Sequence, residues 1–180
     1  MVPWINKENQ DDIFEWIKNV DAPILCGHFE LDGYQVMRNV KHTGGQDPKF
    51  CEIGTEDYSE ANTRYLFEKN AGEGFIIDCI SNYRFKVQKR TRLWRGNLNV
   101  IEKKISPNNV IEILNSFKIL DNLDLFSLDI DGLDYFVLEK MPKKFSKIAV
   151  IEYNALFGDE HMITVPNIEN FKYQEYHYSG

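Results

Sequence analysis

The chain has 180 residues, of which 43% are hydrophobic and 27% charged, values that are ordinary for one globular domain. Its net charge of −7 argues against a broad nucleic-acid interface, and no apolar run approaches the roughly 20 residues that span a bilayer. The three cysteines are far apart and odd in number, and the N-terminus carries no apolar leader. We therefore expect a reduced, cytoplasmic protein without a disulfide or zinc framework.

The first 47 residues differ in pattern from the rest of the chain. Segment 11–22 has apolar residues at helical spacing between an acidic cap and Pro23, which predicts one helix. Residues 23–47 are interrupted by glycines and predict irregular structure. We therefore expect residues 1–47 to form an N-terminal helix and an irregular cap, and residues 48–180 to form a single globular domain.

From residue 48 onward, short apolar runs alternate with helical patterns. The predicted strands are 48–55, 74–77, 98–105, 123–128 and 147–153, and the predicted helices are 59–70, one starting at Ser106–Pro107, and 133–141. Non-alternating apolar runs indicate strands that are buried on both faces. Because strand–helix–strand units form right-handed crossovers, we predict an α/β fold with a doubly wound, mainly parallel sheet and helices on both faces. Such a sheet binds ligands where its strand order reverses, here between strands 48–55 and 123–128.

Acidic side chains directly follow the predicted strand 123–128. Asp129 and Asp131 share one face of an extended chain, whereas Asp134 belongs to the start of the next helix, where its charge favours the helix N-terminus. Paired carboxylates repel one another and need a partner. A cofactor amine, a substrate hydroxyl or a divalent cation would serve.

The next predicted strand also ends in polar side chains. Glu152 and Asn154 lie two residues apart and share a face. Together with Asp131 from the neighbouring strand they offer hard oxygen ligands, so Asp131, Glu152 and Asn154 are the predicted ligands if a metal such as Mg²⁺ is bound. His161 follows in a loop. Asp131, Glu152 and His161 are the candidate catalytic residues for taking a proton from an acceptor hydroxyl.

The first two predicted strands end in residues that suit a nucleoside. Gly54 allows a tight turn and the close approach of a ligand. About 25 residues further on, Asp78 lies near the spacing at which an acidic residue accepts hydrogen bonds from a ribose. Glu56 and Asp57 would repel a pyrophosphate. They favour a positively charged ligand over a dinucleotide.

Five segments, in this order, resemble the FkbM-like family of S-adenosylmethionine-dependent methyltransferases. They are Glu52-Ile53-Gly54, Glu60-Ala61-Asn62-Thr63-Arg64, Asp78, Asp129-Ile130-Asp131-Gly132-Leu133-Asp134-Tyr135 and Ile151-Glu152-Tyr153-Asn154. The resemblance covers residues 48–180 and implies a Rossmann-like methyltransferase fold. It implies cofactor-binding roles for Glu52, Gly54, Thr55 and Asp78, with Asp129 near the methionine end of S-adenosylmethionine. Glu56 and Tyr58 stand where the family carries glycines, and the chain ends at Gly180, so the C-terminal strands are expected to be lacking.

The function predicted from these residues is transfer of a methyl group from S-adenosylmethionine to an oxygen of a sugar or small natural product. The expected partner is a small-molecule or glycan acceptor, with no nucleic acid and no membrane. One alternative is a metal-dependent glycosyltransferase that uses Asp129 and Asp131. Another is a non-catalytic module on a methyltransferase fold. The basic stretch 86–95 is interpreted as a solvated face or as a contact for a phosphate, a nucleotide sugar or an anionic glycan. The oligomeric state stays open.

Overall fold

A six-stranded, all-parallel sheet forms the centre of the part of the chain that the structure describes. The computed structural model describes residues 24–26, 47–59, 61–69, 72–93, 96–152, 164–168 and 171. The strands are β1 (Ile24–Cys26), β2 (Lys49–Ile53), β3 (Glu73–Asp78), β4 (Asn97–Glu102), β5 (Leu125–Leu128) and β6 (Ile148–Ile151). The helices are α1 (Arg64–Glu68), α2 (Tyr83–Arg90), α3 (Val110–Ser116) and α4 (Asp134–Lys140). The strand order is β1-β6-β5-β2-β3-β4.

Helices cover both faces of this sheet. Leu66 of α1 and Val87 of α2 pack in one buried cluster, which includes Ile76 of β3. Helices α3 and α4 contribute to a second buried cluster, which includes Ile77 of β3. Neighbouring residues of a strand point to opposite faces, so the two clusters lie on opposite sides of the sheet. The fold is therefore a doubly wound, Rossmann-like α/β fold, and this prediction is confirmed.

The strand order reverses between β2 and β5. From β2 the chain moves outward to β3 and β4, and it then returns to β5 on the other side of β2. Ile53 pairs with both Ile77 and Leu128, and Leu128 pairs with Ile151. The carboxyl ends of β2, β3, β5 and β6 are therefore level with one another. The predicted pairing of the strands that contain Ile53 and Leu128 is confirmed, and the switch point lies just beyond these two residues.

Two helices begin later than the sequence predicts. Helix α1 begins at Arg64 rather than near Ser59. Helix α3 begins at Val110, because Ser106 opens a turn in which the Asn109 side chain accepts a hydrogen bond from the Ser106 amide at 2.8 Å. None of the helices in the described ranges combines the length and apolarity that crossing a membrane requires.

Two elements were not predicted from the sequence. Helix α2 has only Tyr83 and Val87 buried, so its sequence lacks a regular apolar stripe. Strand β1 lies in the segment 23–47 that was expected to be irregular, and it pairs with Ala149–Ile151 at the edge of the sheet. The predicted helix at 11–22 lies outside the described residues.

Candidate functional site at the switch point of the sheet

Three carboxylates meet just beyond the ends of β5 and β6. Asp129 follows β5 and Glu152 follows β6 at the matching position, because Leu128 pairs with Ile151. Asp131 has a left-handed backbone with φ of 54°, so it meets Asp129 through a turn rather than through strand alternation. One carboxylate oxygen from each of Asp129, Asp131 and Glu152 lies within 4.8 Å of the others. We call these three residues the carboxylate cluster.

The carboxylate cluster retains a proton. Burial, a hydrogen bond with Asp129 and the negative charges of Asp129, Asp134 and Asp131 together raise the pKa of Glu152 to about 9. Glu152 is therefore protonated at neutral pH and shares its proton with Asp129. A cation bound at the cluster would offset the negative charge of the carboxylates in the same way as this proton. The cluster is thus chemically suited to a positively charged ligand group or a divalent metal.

Asp134 holds the loop that carries the cluster. Its Oδ1 accepts a hydrogen bond from the Ile130 amide at 2.8 Å, and its Oδ2 accepts one from the Gly132 amide at 2.9 Å. Burial raises the pKa of Asp134 to about 6, although these hydrogen bonds act in the opposite direction. Asp134 begins α4, as predicted. Its carboxylate fixes the loop between the cluster and the helix.

Gly54 directly follows β2 and lies against Asp129, which directly follows β5. Its φ is 78°, and a Cβ atom built on it would lie 1.5 Å from the carbonyl oxygen of Asp129. Only glycine fits this position, as the predicted tight turn requires. The group that approaches Gly54 is, however, the backbone of Asp129. The glycine therefore sets the contact between the two strands at the switch point.

Asp78 holds the loop that follows β2. Its Oδ2 accepts hydrogen bonds from the amides of Thr55 at 2.9 Å and Glu56 at 2.8 Å, and its Oδ1 accepts one from Ile80 at 3.0 Å. The Thr55 hydroxyl forms a hydrogen bond with the hydroxyl of Tyr83. Asp78 and Thr55 are therefore neighbours, and the bonds they make here are to the protein itself. An internal carboxylate occupies amides that an anionic ligand group would otherwise use.

Glu52 lies buried on the side of the sheet that α1 covers. Its Oε1 accepts a hydrogen bond from the Asn62 amide at 2.9 Å, and its Oε2 accepts bonds from the Thr63 amide at 2.9 Å and the Thr63 hydroxyl at 2.6 Å. Burial raises the pKa of Glu52, these hydrogen bonds lower it, and the charge of Asp129 raises it. Glu52 thus satisfies backbone amides just before α1 begins, where a helix leaves its first amides without partners of its own.

A groove lies between the loop after β2 and helix α2. It has a volume of about 670 Å³ and is lined by Glu56, Asp57, Ile80, Lys86, Lys89 and Arg90. Arg90 Nε lies 2.6 Å from Asp57 Oδ2. Hydrogen bonds from Ser59 and from this arginine lower the pKa of Asp57. The groove borders the Asp78-bound loop, because the amides of Glu56 and Ile80 both donate to Asp78. Its lining is of mixed charge.

Comparison with known proteins finds sequence similarity over a short part of the chain. A stretch of 74 residues is 32% identical to exonuclease subunit 1 of Enterobacteria phage T4. The match covers 37% of this chain and 22% of that protein, so the chain matches about a fifth of the length of this curated relative. No protein-family model matches the chain, and no solved structure matches it. The architecture described above therefore stands on the strand topology alone.

The structure brings together some of the predicted site residues and separates others. Asp131 and Glu152, which were predicted as catalytic residues and as metal ligands, lie in one cluster with Asp129. Asp129 was predicted to bind the cofactor, and in the glycosyltransferase alternative it holds a metal together with Asp131. Asn154 and His161 lie outside the described residues.

Sequence reasoning did not find two parts of the site. One is the role of Asp134 in holding the cluster loop, since an acidic residue at a helix start has an ordinary explanation. The other is Thr63, whose amide and hydroxyl bond a carboxylate 11 residues earlier in the chain. The available signal was an acid, Glu52, between the apolar residues Cys51 and Ile53, because a buried acid needs hydrogen-bond partners.

Proposed function

We propose that the protein is an S-adenosylmethionine-dependent methyltransferase that methylates an oxygen of a sugar or small natural product. The observation that carries the proposal is the carboxylate cluster at the switch point of an all-parallel, doubly wound sheet. Ligands bind such sheets at this point, and S-adenosylmethionine brings both a sulfonium and an amino group to it. The sequence resemblance to FkbM-like methyltransferases names the same residues.

The residues that were predicted to bind the cofactor fall into two groups: one that can contact the cofactor directly, and one that supports the loops around it. Asp129 is exposed in the cluster and can accept hydrogen bonds from an amino group. Glu52 and Asp78 are buried, and their carboxylate oxygens already accept backbone amides. We therefore assign Asp129 to the cofactor, and we assign Glu52 and Asp78 to shaping the loops around it. Gly54 sets the spacing between β2 and β5 beneath this site.

The residues of the cluster can also prepare the acceptor. When bound, S-adenosylmethionine supplies a methyl group on a positively charged sulfur. The protein must align the acceptor oxygen, exclude water and take up the hydroxyl proton. Asp131 is exposed and is the residue that we assign to this proton. Asp131 and Glu152 would also hold a Mg²⁺ ion, whose charge makes a hydroxyl more acidic.

Calorimetric titration with S-adenosylmethionine tests the proposal. Asp129→Asn should weaken binding by about 10- to 100-fold, the loss expected for a hydrogen bond between two charged groups. Asp121→Asn is the matched control, because Asp121 is exposed and precedes β5 at the opposite end of the sheet. This control should bind like the wild type. Equal binding by all three proteins would remove Asp129 from the site.

Other ligands distinguish the alternative functions. Binding of a nucleoside-diphosphate sugar with Mn²⁺, without binding of S-adenosylmethionine, would favour a glycosyltransferase. Binding of neither would favour a non-catalytic module. The partial likeness to an exonuclease subunit adds a separate arm, in which labelled DNA is incubated with the protein and Mg²⁺. Release of nucleotides without binding of S-adenosylmethionine would replace the methyltransferase proposal.

A further inference from the structure

Helix α2 presents a strongly basic surface to solvent. Its exposed residues are Arg84, Phe85, Lys86, Gln88, Lys89 and Arg90, and exposed Arg92 follows its end. Lys86 and Arg90 are four residues apart, a spacing at which like charges repel one another on a helix. Among the described residues, Arg90 pairs with Asp57, whereas Arg84 and Lys86 form no ion pair. This concentration of positive charge in a chain of net charge −7 is typical of a surface that meets an anionic ligand.

An aromatic ring extends this surface. Phe85 is 57% exposed, and Lys89 Nζ lies 4.5 Å from the centroid of its ring. Lys89 also lines the groove, so Phe85 and the groove form one continuous surface. Exposed aromatic rings bind the flat apolar faces of sugars and bases. The basic surface is therefore suited to a ligand that carries both anionic groups and rings.

The acids of the groove indicate which kind of ligand that is. Glu56 and Asp57 line the same groove as Lys86, Lys89 and Arg90. Carboxylates accept hydrogen bonds from sugar hydroxyls, whereas they repel the closely spaced phosphates of a nucleic acid. The groove and the surface beside it therefore match an acidic sugar. The lysines and arginine bind its acidic groups, the carboxylates accept hydrogen bonds from its hydroxyls, and the exposed ring of Phe85 packs against its apolar face.

We propose that the groove and the exposed face of α2 bind an acidic glycan, whose sugars carry carboxylate or sulfate groups. This inference rests on the proposed function, because it makes that glycan the methyl acceptor. The loop after β2 connects the groove to the switch point. Glu56 lines the groove, and Gly54, two residues earlier, contacts Asp129 of the carboxylate cluster.

Fluorescence anisotropy with labelled hexasaccharides tests the inference. The probes are oligogalacturonate for carboxylate groups, a heparin fragment for sulfate groups and neutral maltohexaose. The wild type should bind at least one acidic probe and not the neutral one. Lys86→Gln/Lys89→Gln should weaken that binding by about tenfold or more, because two charge-assisted contacts are lost. The acidic probe that binds identifies the anionic group.

The matched control is Lys140→Gln/Lys143→Gln. It removes the same amount of charge from two exposed lysines, one at the end of α4 and one just beyond it. Because salt screens charges that lie far from the groove, this control should change binding by less than about twofold. Equal weakening by the two double variants would show that only net charge matters and would overturn the inference. Failure to bind either acidic probe would overturn it as well.

Glu56→Ala separates an acidic glycan from a nucleic acid. Loss of a hydroxyl acceptor should weaken glycan binding, whereas loss of a negative charge should strengthen binding of a labelled thymidine oligonucleotide. Stronger glycan binding by this variant, or tighter binding of the oligonucleotide than of both acidic glycans, contradicts the inference. Glycan binding without binding of S-adenosylmethionine refutes the proposed methyltransferase alone, and the reverse result refutes the glycan site alone.

Discussion

Replacing Asp78 by asparagine tests whether this carboxylate serves the fold or a ligand. The asparagine oxygen can keep the hydrogen bonds from Thr55 and Glu56, but its amide group then faces the Ile80 amide, which loses its acceptor. One hydrogen bond to a charged group is lost and two become neutral. Hydrogen bonds to charged groups contribute about 1.5–3 kcal/mol each, so we expect the free energy of unfolding to fall by about 2–3 kcal/mol.

Urea unfolding followed by circular dichroism measures this loss. For a chain of this size, the loss corresponds to a fall in the midpoint of thermal unfolding of about 5–10 °C. Asp121→Asn, at an exposed position, should stay within about 0.5 kcal/mol of the wild type. The reasoning is refuted if Asp78→Asn is as stable as the wild type while it binds S-adenosylmethionine 10- to 100-fold more weakly. That result would make Asp78 a ligand for the cofactor.

Three further substitutions test the switch point. Gly54→Ala should destabilise the protein by more than about 3 kcal/mol, or prevent folding, because its Cβ would overlap the backbone of Asp129; an unfolding midpoint like that of the wild type would contradict this. The pKa of Asp134 is raised to about 6 in the folded state, so its contribution to stability is complete below the unfolded pKa near 4 and is lost as pH rises through about 6. Unfolding titrations from pH 4 to 7 should show about 2 kcal/mol less loss of stability in Asp134→Asn than in the wild type, and parallel curves would contradict the shift. Because the pKa of Glu152 is raised to about 9, a Mg²⁺ ion that binds the cluster at pH 7 should release close to one proton; calorimetry in buffers of different ionisation enthalpy should find this release abolished in Glu152→Gln.

The parallel sheet was predictable because its strands are short and apolar on both faces. Buried runs such as Leu125–Leu128 and Ile148–Ile151 have no helical spacing, and glycines or acids end them. Helix α2 was not predictable in this way, since Tyr83 and Val87 are its buried residues and basic side chains fill the rest of it. Strand β1 has three residues, too few for a pattern of its own. Its pairing with β6 determines its structure.

The candidate site was predictable in its residue types and less so in their roles. Asp131 and Glu152 were expected to meet because consecutive strands of a parallel sheet are usually neighbours, as β5 and β6 are. Whether an acid faces a ligand or the backbone depends on loops that sequence spacing does not determine. Asp78 bonds amides 22 and 23 residues earlier in the chain, and Glu52 bonds amides 10 and 11 residues later. These partners follow from the tertiary fold, and local patterns do not indicate them.

Hydrogen–deuterium exchange with saturating S-adenosylmethionine tests the central claim most directly. The claim is that the carboxyl ends of β2 and β5, with the carboxylate cluster that follows β5 and β6, form one ligand site. We predict slower exchange in peptides that cover residues 54–58 and 129–134, and unchanged exchange in the peptide that covers α3. Protection confined to other segments, or no protection at a concentration that saturates a methyltransferase, would contradict the account.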